Sequence, residues 1–164
     1  MTETPPLLHR RAEAAVVDLL NRERVMTIAV IRDDGWPQAT TVGYYNEGLD
    51  LYFSIARSSQ KFVNLQADSR ASIAIRSRSG GGSTGLSMAG HVVEITDPEA
   101  AESLNQRLLA RYPEAHVYSP SGAAVALLRF RPVIVSAVGV AHDRSDPQTF
   151  RVADRDGETA PAGG

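Results

Sequence analysis

The residues best suited to chemistry stand in one short polar segment, Arg57-Ser58-Ser59-Gln60-Lys61. This segment follows an apolar run and leads into a helical pattern that begins near Gln60. Backbone N–H groups at a helix start, with Arg or Lys close by, form a site suited to phosphate. The segment therefore predicts an anchor for a phosphorylated cofactor.

The same residues have a second interpretation. Serine is a common helix N-cap, and Arg and Lys are common as solvated surface charges. The two hydroxyls and two cations of the segment are explained by capping and solvation without any ligand. From these residues alone, both interpretations stay open.

Other candidates carry weaker signals. Residues 80–85 are rich in glycine, but no lysine and no helical pattern follow them, so they predict a flexible connection over residues 77–85. His9, His91, His116 and His142 lack metal-ligand spacing. His91 is expected in a strand, either facing a cofactor or hydrogen-bonded for structure. Trp36 is expected either to pack or to form a wall of a partner's site.

Composition narrows the class of protein. The 164 residues are 43% hydrophobic and 22% charged, which is typical of one globular domain. The formal charge of −2 argues against nucleic-acid binding. The chain has no cysteine, no apolar run long enough for a membrane span and no signal-peptide pattern at its start, so the expected location is the cytoplasm.

Periodicity predicts mostly strands. A helix is expected over residues 6–24 and strands over 25–31, 37–45 and 49–55, joined by turns as an antiparallel meander. A second helix is expected over residues 60–67 and a third from an Asp97 N-cap to about Arg111. Further strands are predicted over residues 70–76, 86–96 and 149–152. Residues 123–137 predict either one long strand or two shorter strands that break near Pro132.

Six or seven short antiparallel strands with flanking helices favour a mainly β (α+β) fold, a split barrel whose closure removes exposed edges. The domain is expected to cover residues 1–153, with a flexible tail over 154–164.

The ordered motifs resemble the FMN-binding split-barrel family typified by pyridoxamine 5'-phosphate oxidase. The resemblance covers about residues 8–135. The matching segments are Thr27-Ile-Ala-Val, Asp34-Gly-Trp-Pro-Gln, Leu51-Tyr-Phe-Ser, Ser59-Gln-Lys61, Asn64-Leu65, Arg70-Ala-Ser-Ile and Gly90-His-Val-Val-Glu-Ile-Thr-Asp-Pro98.

The resemblance implies a homodimer with FMN at the subunit interface. Ser59, Gln60 and Lys61 would hold the phosphate, together with the cation of Arg57. Phe53 and Ser54 would line the flavin edge. The second predicted strand would run beside the ring through Thr40, Thr41, Val42 and Gly43. Seven apolar residues cannot all point inward on alternating strands, and the surplus among them is expected at the interface; the seven are Trp36, Tyr44, Tyr45, Tyr52, Val133, Ile134 and Val135.

The implied function is that of a flavin-dependent oxidoreductase with a small-molecule substrate and a nicotinamide or other donor. The second strand lacks the basic residues of the oxidase itself, so a general reductase is favoured over pyridoxamine phosphate oxidation. Two alternatives stay open: a deazaflavin-dependent reductase in the same groove, and a non-enzymatic flavin- or haem-binding stress or sensor protein.

Overall fold

The computed structural model describes residues 4–77, 85–114, 124–138 and 148–154. The elements along the chain are α1 (Arg10–Arg22), β1 (Val25–Ile31), β2 (Pro37–Gly43), β3 (Tyr45–Glu47), β4 (Asp50–Ala56), α2 (Gln60–Ala67), β5 (Arg70–Arg76), β6 (Gly85–Glu94), α3 (Pro98–Arg111), β7 (Val125–Val138) and β8 (Gln148–Arg151).

The strands form one sheet in the order β2-β1-β5-β6-β7-β4-β3, and β8 also pairs with β7. All pairs between these strands are antiparallel. Strands β2 and β3 follow each other in the chain with only Tyr44 between them, yet they lie at opposite ends of this order. The sheet must therefore curl until its edges approach. This confirms the predicted split barrel with flanking helices.

The predicted meander of the first three strands is wrong, because β2 does not pair with β4. The reason lies at Tyr44, whose side chain is buried and whose hydroxyl donates to the Leu20 carbonyl oxygen at 3.1 Å. The Tyr44 N–H donates to the Arg24 carbonyl oxygen at 3.0 Å. These bonds to the end of α1 interrupt the strand that the sequence predicts as continuous over residues 37–45.

The main core fills the concave side of the sheet. Alternate residues of β1, such as Met26, Ile28 and Val30, point into it, and Leu19 and Leu20 of α1 close one end. A second, smaller cluster lies on the other face, where Leu104 and Leu108 of α3 pack on Tyr52 and Leu127. The strands of the half-barrel thus bury one face fully and the other in part.

Helix α1 is shorter than predicted. It begins at Arg10 because the Nδ1 atom of His9 accepts the Ala12 N–H at 3.3 Å as an N-cap. The preceding residues are extended, and Leu8 N–H donates to the Arg151 carbonyl oxygen of β8 at 2.9 Å. At the other end, the Arg24 guanidinium donates to the carbonyl oxygens of the last turn, which stops the helix.

Strand β7 is continuous through Pro132, so of the two predicted possibilities the structure has the single long strand. The ladder to β6 shifts register between Ala89 and Gly90, opposite Pro132, so the missing N–H falls at a bulge. The other predicted elements agree with the structure to within a residue or two, and α2 and β5 have the predicted bounds.

Three predicted segments lie largely outside the described residues: the glycine-rich connection, the loop after Pro113 and the C-terminal tail. Their predictions stay untested. None of the helices in the described parts of the chain is long and apolar enough to span a bilayer.

Candidate functional site

The start of α2 has the geometry that the sequence predicts for an anion site. Ser59 is the N-cap: its Oγ accepts the Phe62 N–H at 3.3 Å and donates to the Ala56 carbonyl oxygen at 2.7 Å. The N–H groups of Gln60 and Lys61 belong to the first turn and have no acceptor within the helix. These donors, with the positive end of the helix dipole, favour an anion here.

Lys61 is nearly buried, with 9% of its surface exposed, and it is the only lysine in the sequence. It shares one face of α2 with the buried residues Asn64 and Leu65. Burial lowers the pKa of Lys61 from its ordinary value. Over residues 4–77, 85–114, 124–138 and 148–154, no carboxylate forms an ion pair with it. A buried ammonium without a counterion is costly unless an anion binds it.

A chain of amide hydrogen bonds ties this helix to β2. Gln60 Nε2 donates to Asn64 Oδ1 at 3.0 Å, and Asn64 Nδ2 donates to Gln38 Oε1 at 3.1 Å. Thr40 lies two residues beyond Gln38 and therefore points to the same side of β2. The Oγ1 atom of Thr40 is buried and has no hydrogen-bond partner among the described residues. The orphaned hydroxyl and the unpaired ammonium thus lie on the sides of β2 and α2 that face each other.

The other predicted residues of β2 divide between its two faces. Val42 shares the face of Thr40 and packs against the main core. Thr41 and Gly43 are exposed on the opposite face. A Cβ at Gly43 would lie 3.6 Å from the Arg24 carbonyl oxygen, which is an ordinary contact. Contacts within one chain therefore leave room for a side chain at Gly43.

Strand β4 divides its two predicted residues in the same way. Phe53 is 3% exposed and its side chain belongs to the main core. Ser54 points to the other face and is exposed. The two residues predicted to line a flavin edge thus point to opposite faces of β4, as adjacent strand residues do, and their contact with a flavin stays a prediction.

Arg57 is already engaged. Its guanidinium forms an ion pair with Glu94 of β6 and lies over the Phe62 ring, 5.4 Å from the ring centroid. Its backbone N–H donates to the Ala124 carbonyl oxygen at 3.0 Å. Since Glu94 offsets its charge, Arg57 braces the start of α2, and Lys61 is the cation available to a ligand.

A groove of about 330 Å³ lies on the convex face of the sheet. Its lining comes from β1, the start of β2, β5, β6 and β7, and we call it the outer groove; the lining residues are Ala29, Val30, Ile31, Pro37, Arg70, Ala71, Ser72, Ala89, Gly90, His91 and Val133. The sequence singled out His91 and, as an interface candidate, Val133, but it did not predict the groove, because the groove joins five separate strands.

Two polar side chains at the outer groove are held in place. His91 Nδ1 lies 3.0 Å from Ser69 Oγ, in a hydrogen bond whose direction depends on the tautomer. Arg70 forms a two-pronged ion pair with Asp68, with contacts of 2.6 to 3.2 Å. The hydrogen bonds from Arg70 lower the pKa of Asp68 to about 2. Among the described residues, no group of His, Asp and Glu side chains is arranged to hold a metal ion.

The half-barrel, with helix α2 between β4 and β5, defines the class of protein. The family model of pyridoxamine 5'-phosphate oxidase matches residues 12–154, and the chain belongs to that family. The predicted family and fold are thereby confirmed. No curated protein sequence matches the chain.

Solved structures of related fold include a haem-binding protein from Mycobacterium smegmatis, with 24% identity, a TM-score of 0.70, and coverage of 87% of this chain and 60% of that one. An F420 reductase has 24% identity, a TM-score of 0.56, and coverage of 73% and 94%. The haem storage protein HutZ from Vibrio cholerae has 14% identity, a TM-score of 0.58, and coverage of 71% and 87%. At these identities the likeness shows the fold alone.

Proposed function

We propose that the chain binds FMN with its phosphate at the start of α2, and that it acts as a flavin-dependent oxidoreductase. One observation carries this proposal: Lys61 is nearly buried and has no anionic partner in the part of the chain that the structure describes. A phosphate at this position offsets the charge of Lys61 and accepts hydrogen bonds from the first-turn amides of α2.

The residues present fit such a group. Lys61 supplies the charge, and the backbone of Ser59 and Gln60 brings N–H donors to the same point. The Thr40 hydroxyl, which lacks a partner among the described residues, can donate to a phosphate or ribityl oxygen. The flavin, when bound, supplies hydride and electron transfer, and this chain positions it and excludes water.

Pyridoxamine phosphate itself is not the substrate that we propose. Strand β2 (Pro-Gln-Ala-Thr-Thr-Val-Gly) contains no basic residue, and Arg57 is paired with Glu94. One available cation is enough for the cofactor phosphate, but a second phosphate on the substrate has no evident partner there. A smaller or uncharged substrate, with a nicotinamide or other hydride donor, fits this charge balance better.

The proposal includes a homodimer in the cytoplasm. Of the seven apolar residues among which an interface surplus is expected, Tyr44, Tyr52 and Val135 are buried within the chain itself. Trp36 and Val133 remain exposed. The convex face around them carries small side chains, such as Ala39 and Thr41 of β2 and Ala74 of β5. A flat face of small residues beside exposed apolar ones suits a self-complementary contact.

The test is the affinity for FMN of the Lys61→Ala variant. Loss of one charge-assisted contact should cost about 1.5–3 kcal/mol, which is about a 10- to 150-fold rise in Kd. Flavin fluorescence quenching measures the Kd. Arg22→Ala, which removes an exposed cation at the end of α1, is the matched control and should leave the Kd unchanged. An unchanged Kd in folded Lys61→Ala contradicts the proposal.

The alternative cofactors, a deazaflavin and haem, differ from FMN in their absorption spectra. Among proteins of related fold, one is described as an F420 reductase and others as haem-binding or haem storage proteins. The absorption spectrum of the protein purified from its native host distinguishes them, because oxidised flavin is yellow, a deazaflavin is shifted and strongly fluorescent, and haem has a Soret band. A deazaflavin spectrum would be consistent with the proposed phosphate site, but the cofactor would then be a deazaflavin and not FMN. A Soret band overturns the flavin proposal.

A further inference from the structure

The outer groove owes its shape to the bulge between β6 and β7. Pro132 has no N–H to donate, and the ladder shifts register opposite it. Gly90 is packed so tightly there that a Cβ would lie 2.1 Å from the Arg131 carbonyl oxygen. Only glycine fits this position. The bulge therefore depresses the convex face at Gly90 and leaves Val133 projecting beside it, 44% exposed.

The outer groove is suited to an aromatic ring. Its floor includes the small residues Ala29, Ala89 and Gly90, so a flat group can approach the backbone closely. The guanidinium of Arg70 stands at the rim, and its ion pair with Asp68 fixes its orientation. A planar cation held in place can stack on an aromatic face.

Trp36 is an aromatic group presented by the same region of the protein. It is 73% exposed and directly precedes Pro37, which lines the outer groove. Its turn is held rigid: Asp34 accepts from the Arg32 guanidinium at 2.7 and 3.1 Å and from the Trp36 N–H at 3.1 Å. The Arg32 N–H also donates to the Trp36 carbonyl oxygen at 3.0 Å. An exposed tryptophan on a rigid turn is typical of an interface anchor.

We propose that Trp36 inserts into the outer groove of a second copy of this chain, while the partner's Trp36 fills the outer groove here. This rests on the homodimer of the proposed function. The exposed Trp36 and the outer groove are adjacent on the surface, because Pro37, the next residue in the chain, lines the groove. A single twofold axis running between them therefore seats both at once, as a self-complementary interface requires. Arg70 then stacks on the partner's Trp36, and each subunit completes the other's groove.

The residues around the outer groove favour a second copy of this chain, and not a free small molecule, as the occupant of the groove. The strands that flank the outer groove present small side chains, including Thr27 of β1 and Ser72 and Ala74 of β5, which let a second sheet approach closely. Arg70 is already neutralised by Asp68, so a neutral indole suits the rim better than an anion does.

The test uses the fact that Trp36 is the only tryptophan in the sequence. In the dimer, its emission should be blue-shifted and protected from acrylamide, and on dilution it should become red-shifted and fully quenchable as sedimentation shows dissociation. Trp36→Ala should weaken the dimer by at least about 30-fold, as for a buried aromatic anchor. Ala89→Leu, which fills the groove, should do the same. Leu109→Ala, an exposed apolar position on α3, is the matched control and should have no effect.

Mixing the two variants distinguishes loss of the contact between Trp36 and the outer groove from misfolding of either variant. Trp36→Ala keeps an intact groove, and Ala89→Leu keeps its tryptophan, so their mixture should form heterodimers more tightly than either variant alone forms homodimers. A dimer with fully quenchable Trp36, or normal dimerisation of Ala89→Leu, overturns the inference but leaves the homodimer standing. A wild-type chain that stays monomeric at all concentrations overturns both.

Discussion

At the scale of single residues, Lys61 favours the binding of an anion but destabilises the folded protein when no anion is bound. The residue as a whole is 9% exposed, and burial lowers the pKa of its amine from the ordinary value. A buried charge without a counterion destabilises the folded state, so a chain selected for stability alone would have an apolar residue here. The residue is understandable if an anion is bound in the working protein.

We predict that Lys61→Met stabilises the cofactor-free protein by about 0.5–2 kcal/mol while it weakens FMN binding. Methionine fills the same apolar space without the desolvation cost. Because the folded-state pKa of Lys61 is lowered, the cost is fully present below that lowered pKa and disappears as pH rises from it to the ordinary pKa of the unfolded chain. The stability gap between variant and wild type should therefore shrink at alkaline pH.

Urea denaturation of both cofactor-free proteins at neutral and alkaline pH measures this gap. A Lys61→Met variant that is less stable than the wild type at neutral pH contradicts the prediction, because Lys61 would then be paired within the chain.

At the scale of elements, helices α2 and α3, whose N-caps are oxygen-bearing side chains, differ in what their N-termini face. Ser59 caps α2 and Asp97 caps α3, the latter by accepting the Ala100 N–H at 3.1 Å. The face of α2 that follows its cap points towards β2, whereas Asp97 and Glu99 are exposed on α3. Asp97 also brings a carboxylate to its helix start, which excludes a bound anion there by charge.

We predict that Ser59→Ala and Asp97→Ala cost similar stability, about 0.5–2 kcal/mol each, because each removes one N-cap. Only Ser59→Ala should also weaken FMN binding, because only the start of α2 is a proposed phosphate site. Thermal denaturation measures the first effect and fluorescence titration the second. If the two variants bind FMN with equal affinity, Ser59 acts only as the N-cap of α2 and does not contribute to a phosphate site.

A polar cluster joins three further elements and closes one end of the half-barrel. Asn46 of β3 is fully buried, and its Nδ2 donates to Asn21 Oδ1 at 2.9 Å and to the Gly48 carbonyl oxygen at 3.0 Å. Arg111 of α3 donates to the same Asn21 oxygen at 2.6 Å, and the Tyr112 hydroxyl donates to Asn46 Oδ1 at 3.3 Å. These bonds hold the short strand β3 at one end of the strand order, where it pairs with β4 and not with β2.

At the scale of the whole molecule, a half-barrel leaves one side of a flat cofactor uncovered. The described chain places Lys61 and Thr40 on the side where α2 meets β2, while Thr41 and Gly43 are exposed on the other face of the same strand. A second subunit can cover what one chain leaves open. A ligand that bridges two chains is linked to their association.

We therefore predict that dilution releases FMN and separates the subunits together. Sedimentation and flavin fluorescence, followed over one concentration series, should show coincident midpoints, and excess FMN should move both midpoints to lower protein concentration. A monomer that retains FMN at nanomolar protein would refute a shared site.

The sequence by itself determined the elements whose signals are local. Alternating apolar residues predict β5, and the Ser59 and Asp97 caps predict the starts of α2 and α3, because these patterns involve neighbours along the chain. The candidate anion site at Ser59 and Lys61 followed from the same local signal.

Only the tertiary structure decided which of those residues face the same space. Tyr44 separates β2 from β3 through bonds to the end of α1, which no local pattern reveals. Strand register places Thr40 towards α2, turns the Phe53 side chain into the core and pairs Arg57 with Glu94. The outer groove arises where Pro132 meets Gly90 across the ladder. Each of these outcomes depends on pairing between distant segments, and a shift of one residue in register would reverse the faces.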